Sequence, residues 1–351
     1  MHVLLGVVFH FIGGFASGSF YLPFKKVKNW SWESYWIVGG FFSWLFVPPI
    51  AAALTLPSFA SFISAAPFNV LALTYLMGVL WGIGGLTYGL GIRFLGMSLG
   101  NSVTLGYCAV FGALIPPLYY SVCETAGKVS FYSLLGSSGG QLVLLGVAVC
   151  LIGIAICGYA GMLKEKSPNS DEQNKTIAEF SLFKGLAVAT VSGILSACFN
   201  FGIEAGKPMA EMAVRAGCNP LFQNNVTYVV LLWGGLTTNL IWCAILNFKN
   251  RSFKDYTNGN SPLKSNYFYS ALAGITWFLQ FFFYGMGESK LGNGASSWIL
   301  HMASIILVSN MWGILLKEWS GADRKTKLAI AAGIAVIAVS VVLVGYGNSL
   351  T

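Results

Sequence analysis

The sequence predicts an all-helical integral membrane protein of ten transmembrane helices, built as two inverted five-helix repeats. Three observations predict it. Only 9% of the 351 residues are charged and 56% are hydrophobic, where a soluble domain carries about 25% charge. Ten separate stretches stay apolar for the roughly 20 residues a helix needs to cross hydrocarbon. The glycine–aromatic pattern of the first half also returns in the second. So little charge cannot solvate a globule of this length, which excludes an ordinary cytosolic enzyme.

The ten stretches run over 3–24, 34–56, 71–93, 97–120, 141–162, 184–205, 222–247, 266–287, 294–316 and 327–348. Hydrocarbon offers backbone groups no partner, so each stretch must bond within itself as a helix. The first has no basic flank before it and no small-residue cleavage site after it. It reads as a retained helix and not as a signal peptide.

Basic residues set the orientation. Of 20 Lys and Arg, 16 fall in the loops after spans 1, 3, 5, 7 and 9, among them Lys25, Lys26, Lys28, Arg93, Lys249, Arg251 and Arg324. Lys128, Lys207, Arg215 and Lys290 lie on the other side. Positive charge marks the cytoplasmic face, so both termini are expected outside. The polar stretch Lys164–Lys175 is the one linker-like segment. It divides the chain into a first repeat (1–162), a cytoplasmic linker (163–183) and a second repeat (184–351).

The repeat can be followed residue by residue. Gly78-x-x-Trp81, Tyr88-Gly89-x-Gly91 and Leu95-Gly96 recur at the same spacing as Gly274-x-x-Trp277, Tyr284-Gly285-x-Gly287 and Leu291-Gly292. Gly14-x-x-Ser17-x-x-Phe20 matches Gly193-x-x-Ser196-x-x-Phe199, and Gly146-x-Ala148-Val149 matches Gly333-x-Ala335-Val336. Five helices is an odd number, so the second copy enters the membrane from the opposite face. That is the construction of many secondary transporters, with the substrate near the midplane. Helix packing alone is the plainer account of such glycines, above all for Gly13, Gly14, Ser17 and Gly18 on span 1.

Few residues within the spans can carry chemistry. His301, two turns into span 9, is the leading titratable group, and His10 on span 1 is the second. An ionisable residue at such depth points to function, and histidine changes charge near neutral pH; a neutral imidazole bonding a neighbouring helix is the alternative. Glu33 opens span 2, where an acid suits the helix dipole; it is the third candidate for proton coupling. Glu204 and Lys207, three residues apart, are placed to pair, and Glu288 and Lys290 end span 8 in a similar way. A scarcity of deep cations argues for a neutral solute. The expected sugar contacts are Trp81, Tyr88, Asn101, Trp277, Gln280, Tyr284 and Trp298, with Trp277 and Gln280 foremost.

Other classes lack their residues. Seven cysteines form no C-x-x-C, there is no phosphate-binding loop for ATP and no H-E-x-x-H zinc motif. No cofactor, metal or nucleic acid is expected, and the bilayer is the one macroscopic partner.

At these residues the chain resembles the L-rhamnose–proton symporter family of the drug/metabolite transporter superfamily. The resemblance is carried by Phe20-Tyr21-x-Pro23-Phe24-Lys25-Lys26-Val27-Lys28-x-Trp30-Ser31-Trp32-Glu33, Leu95-Gly96-Met97-Ser98-x-Gly100 and Lys207-Pro208-Met209. It continues through Trp277-x-Leu279-Gln280-Phe281-Phe282-Phe283-Tyr284, Ser297-Trp298-x-Leu300-His301-Met302 and Leu316-Lys317-Glu318-Trp319. It implies a ten-helix carrier that imports rhamnose with a proton across a bacterial inner membrane. A related carrier for another neutral metabolite is the alternative; an intramembrane enzyme or a receptor would need residues or domains that are missing.

Overall fold

The computed structural model describes residues 2–95, 97–123, 129–165, 182–315 and 322–350. Most of the expected linker, Gly96, Lys128 and the Leu316–Trp319 motif lie outside these residues. Among the described residues the chain is all helix and turn. The long elements are α1 (His2–Ser19), α3 (Trp32–Gly40) continuing through a π-helical turn (Phe41–Phe46) into α4 (Val47–Thr55), α6 (Phe68–Leu95), α7 (Met97–Val122) and α9 (Ser138–Glu165). They continue with α10 (Leu182–Ala205), α12 (Asn225–Asn250), α13 (Leu263–Leu291), α14 (Gly294–Leu315) and α15 (Arg324–Ser349). Short helices α2 (Tyr21–Phe24), α5 (Phe59–Ala65), α8 (Phe131–Gly136) and α11 (Lys207–Arg215) join them.

A helix covers every predicted stretch, and among the described residues eight segments are long and apolar enough to cross a membrane. α13 and α14 are not among those eight, and polar residues punctuate both. Gln280 and Glu288 interrupt the first; Ser296, Ser297, His301 and Asn310 interrupt the second. Two stretches are less regular than their hydropathy suggests. The first breaks at Phe20 into α1 and α2, and the second widens where the Val47 N–H reaches back to the Phe42 carbonyl. Pro48 and Pro49 follow that wide turn; without N–H groups they belong at a helix start and not inside one.

Helix ends have local causes. Gly292, at φ +67°, stops α13 in the left-handed region, which glycine adopts without strain. Asn293 then caps α14 by accepting from the Ser296 N–H at 3.1 Å. The short α11 is amphipathic and has Pro208 in its first turn. Its Met209 and Ala213 cover Leu56, Phe62 and Ala66 around α5.

Small residues set the long-range packing. α1 lies against α13 and α14, and α10 lies against α6 and α7. α6 also meets α12, and α13 meets α3 and its π turn, while α9 pairs with α15. A Cβ on Gly78 would strike the Leu231 carbonyl of α12, and one on Gly274 the Gly39 carbonyl of α3. Across α9 and α15 the relation is reciprocal. A Cβ on Gly153 would lie 3.2 Å from the Gly333 carbonyl, and one on Gly333 3.2 Å from the Gly153 carbonyl. Lipid tails are as apolar as leucine, so such close backbone approach, and not burial from water, holds these helices together.

Candidate functional site

Three tryptophans from three helices meet at the centre of the bundle. Trp81 (α6) and Trp277 (α13) lie 5.6 Å apart between ring centroids, tilted by 31°. Trp44, on the π turn, stands edge-on to both, at 6.4 Å from Trp81 and 5.7 Å from Trp277. Phe281 completes the box, 4.7 Å from Trp277 and stacked at 4.2 Å on Phe199. Glycines admit the indoles: a Cβ on Gly40 would come within 2.5 Å of the Trp44 ring, and one on Gly235 would strike Trp81. Beside the box a cleft of about 10 Å³ runs between Phe24, Trp36, Trp44 and Trp277. That is room for a single water.

Next to the box sits a buried polar group. Tyr284 on α13 lies 5.2 Å from the His10 ring of α1 and 5.2 Å from the His301 ring of α14; the two imidazoles are 6.0 Å apart. None of the three exceeds 1% exposure. Neither histidine completes a hydrogen bond through a ring nitrogen, and the Gln280 Nε2 amide has no partner. The His10 main-chain carbonyl lies close to the His301 ring without closing a bond. Gly13 makes the gathering possible, since a Cβ there would lie 2.9 Å from the Gln280 carbonyl and 3.2 Å from His301 Cε1. Gly287 does the same for His10, whose Nε2 would be 2.7 Å from its Cβ.

Twin prolines in α7 shape the next layer. Pro116 has no N–H for the Gly112 carbonyl one turn back, and Pro117 none for that of Ala113. The freed Gly112 carbonyl accepts from Asn200 Nδ2 at 2.7 Å, and Asn200 Oδ1 accepts from the Tyr284 hydroxyl at 3.3 Å. Trp298 donates from Nε1 to the Cys108 carbonyl at 3.0 Å. Beyond Asn200 opens a polar cavity of about 60 Å³, lined by Pro116, Pro117, Tyr120, Glu204, Lys207 and Asn293. At 10–15 Å³ for each, it has room for about four waters.

At the end of the bundle that carries the Lys25–Lys28 loop, the strap between α2 and α3 is tied to the segment between α12 and α13. Asp255 Oδ2 accepts from the Ser31 N–H at 2.7 Å and from Ser34 Oγ at 2.9 Å. Asn266 bonds Lys28 both ways, accepting its N–H at 3.0 Å and donating to its carbonyl at 2.8 Å. Glu33 belongs here: its Oε1 accepts from Ser252 Oγ at 2.6 Å and Asn250 Nδ2 at 3.0 Å.

The expected residues therefore divide. Trp81, Trp277, Gln280, Tyr284, Trp298, His10 and His301 share one contiguous core, and Tyr88 lies on α6 near Cys108 of α7. Glu33 stands apart from them in the strap. Asn101 falls in α7, and its side chain lies outside the described residues. Trp44 joins this core from outside the expected set. It is 3% exposed, and its indole nitrogen has no partner. The proline pair was the available signal for Asn200, because a freed carbonyl needs a donor.

The family model described as L-rhamnose-proton symport protein matches residues 1–350. The chain belongs to that family. Among its relatives, the L-rhamnose-proton symporter of Yersinia pestis (strain Pestoides F) is 39% identical over 350 residues, covering 98% of each chain. The L-rhamnose-proton symporter of Mannheimia succiniciproducens is equally similar, at 39% identity over 98% of each. A solved structure described only as the crystal structure of a protein aligns over 88% of this chain and 94% of its own, with a TM-score of 0.34 and 15% identity. Family membership makes the chain a multi-pass membrane transporter and not an enzyme.

Proposed function

We propose that the chain imports L-rhamnose together with a proton by alternating access, with ten helices forming two inverted repeats around the tryptophan box. The observation that carries the reading is the set of buried, unpartnered groups beside the box: both rings of His10 and His301 and the Gln280 amide. Buried polar groups normally find partners, and leaving one without costs about 1–3 kcal/mol. A sugar supplies hydroxyls for these atoms and an apolar ring face for Trp81 and Trp277. Histidine, which gains and loses a proton near neutral pH, adds a means of coupling.

The two-repeat reading is supported by the exchange of packing partners. α1 against α13 answers α10 against α6, and α1 against α14 answers α10 against α7. Within that scheme Ala189 corresponds to His10. Gly91, the counterpart of Gly287, has Ala189 at 3.7 Å and Thr104 at 3.6 Å from its built Cβ, where Gly287 has His10. The imidazole pair is thus particular to one half. The excess of Lys and Arg on alternate loops turns the Glu33–Asp255 strap to the cytoplasm and the polar cavity outward.

One proton entering with a neutral sugar carries one charge, and 100 mV then contributes about 2.3 kcal/mol, or about fiftyfold accumulation. Proteoliposomes test the reading directly. Labelled L-rhamnose should exchange in counterflow and accumulate when a proton gradient is imposed. Absence of counterflow, or uptake indifferent to the gradient, would refute it.

A further inference from the structure

Three charged residues from three helices converge beside the polar cavity, which Glu204 and Lys207 line. Glu204 of α10 forms an ion pair with Lys207 of α11, and Lys207 Nζ is also 3.9 Å from Glu288 Oε1 of α13. The carboxylates are 11% and 8% exposed at their side chains. Both face the first turn of α14: a Cβ on Gly294 would lie 3.1 Å from Glu204 Oε1 and 3.9 Å from Glu288 Oε1. Glycine at that position leaves room for two acids beside the positive dipole end of a long helix.

The two acids are held differently. Glu204 contacts Lys207 directly and accepts from the Tyr120 hydroxyl at 3.1 Å. Glu288 is farther from the ammonium and accepts from a neutral amide, Asn224 Nδ2, at 2.7 Å. Next to Asn224 stands the Tyr228 hydroxyl, fully buried on α12 without a completed hydrogen bond. Its oxygen would lie 2.9 Å from a Cβ on Gly285. Tyr284 also faces both acids, and Glu211 faces Lys207. Glu204, Lys207 and Asn200 line the cavity, and Asn200 accepts from the Tyr284 hydroxyl, whose ring lies between the two histidines. An unbroken polar route therefore joins this cluster to the buried site.

We propose that Glu288, poised by Lys207, Glu204 and Asn224, receives the coupled proton on the outer side. This assignment rests on the rhamnose–proton reading and moves the proton's first stop away from the histidines. The step balances simply: one proton from the outer solution is taken up by the Glu288 carboxylate, which lies beside the cavity next to Lys207 and becomes a neutral carboxylic acid. Lys207 then keeps Glu204 as its partner, and the charge tie between α11 and α13 is broken. Loss of the proton restores it. Glu288 is the acid that changes because the Lys207 ammonium sits on Glu204 and is 3.9 Å from Glu288.

Gradient-driven uptake and counterflow in proteoliposomes test this. Wild-type protein should accumulate L-rhamnose tens of times over under an inward proton gradient. Glu288→Gln, a permanent mimic of the protonated acid, should reduce that accumulation to about onefold while exchange by counterflow stays measurable. A second readout serves if the variant transports nothing. On adding L-rhamnose to weakly buffered detergent-solubilised protein, wild type should take up about one proton per chain and Glu288→Gln none. Retained gradient-driven accumulation, or wild-type proton uptake on binding, by Glu288→Gln would overturn the assignment. A wild type that accumulates rhamnose under a sodium gradient and not a proton gradient would overturn the underlying reading as well.

Discussion

Replacing Asn200 by leucine should destabilise the protein, and part of that loss should vanish when Pro116 is replaced by alanine. The reason lies in one carbonyl. Proline at 116 removes the N–H that would close the helical bond to Gly112, and Asn200 supplies the missing donor at 2.7 Å. It also accepts the longer bond from Tyr284 at 3.3 Å. Interhelical bonds in membrane proteins average about 0.6 kcal/mol and reach about 1.7 kcal/mol. Asn200→Leu removes two of them and should cost about 1–3 kcal/mol by that scale. In a Pro116→Ala background the restored N–H serves Gly112 from within α7, so the cost should fall by about 1 kcal/mol, roughly fivefold in the unfolding constant. The assay is reversible unfolding of all four purified proteins in mixed detergent, read by loss of helical signal. Equal costs of Asn200→Leu in the two backgrounds, within about 0.3 kcal/mol, would show that the carbonyl does not depend on Asn200.

Three further outcomes follow from the same geometry. Gln280→Leu should weaken L-rhamnose binding by roughly 2–10-fold, the value of one hydrogen bond. It should leave the sugar-free protein at least as stable, since the buried amide has no partner there; titration of tryptophan fluorescence and a thermal melt check the two halves. Asp255→Ala should release the strap at Ser31 and Ser34 and so speed maleimide labelling of a Ser43→Cys reporter, because Ser43 lines the cleft beneath it. Asp323 caps α15, and its bonds with Thr326 hold the carboxyl below the usual value of 3.8. A depressed carboxyl stabilises while ionised, so the Tm gap between wild type and Asp323→Ala should be full at neutral pH and close as the pH falls below 3.8.

Much of the fold was legible because hydrocarbon leaves a chain few options. Apolar length gave the helices. Glycine spacing pointed to the close contacts at Gly78 and Gly274 that pack α6 and α13. His301, Trp277 and Gln280 stood out because polar groups are rare in such segments. What stayed hidden depends on the tertiary fold. Phe41–Phe46 reads as ordinary apolar helix, since an extra residue in a turn leaves no mark in residue type. That is why Trp44 went unrecognised. The spacing of Glu204 and Lys207 announced their pairing, whereas Glu288 joins them from a helix 84 positions away by the register of α13. Glu33 shows the same limit: its place at a helix start was legible, whereas its partners Ser252 and Asn250 come from the far side of the sequence.

The wide turn around Trp44 has a mechanical side. It holds one residue more than an α-helical turn, and each residue of an α-helix accounts for about 100° of rotation. Were that surplus to migrate along the strand of backbone, Trp44 would swing by about that angle about the helix axis. α3 and the strap tied to it would stay where they are. The indole edge that closes the box against Trp81 and Trp277 would then turn away, and a ring slot would open without moving a whole helix. Pro48 and Pro49 set the boundary of this sliding, because neither offers an N–H with which the surplus residue's bond pattern could be handed on.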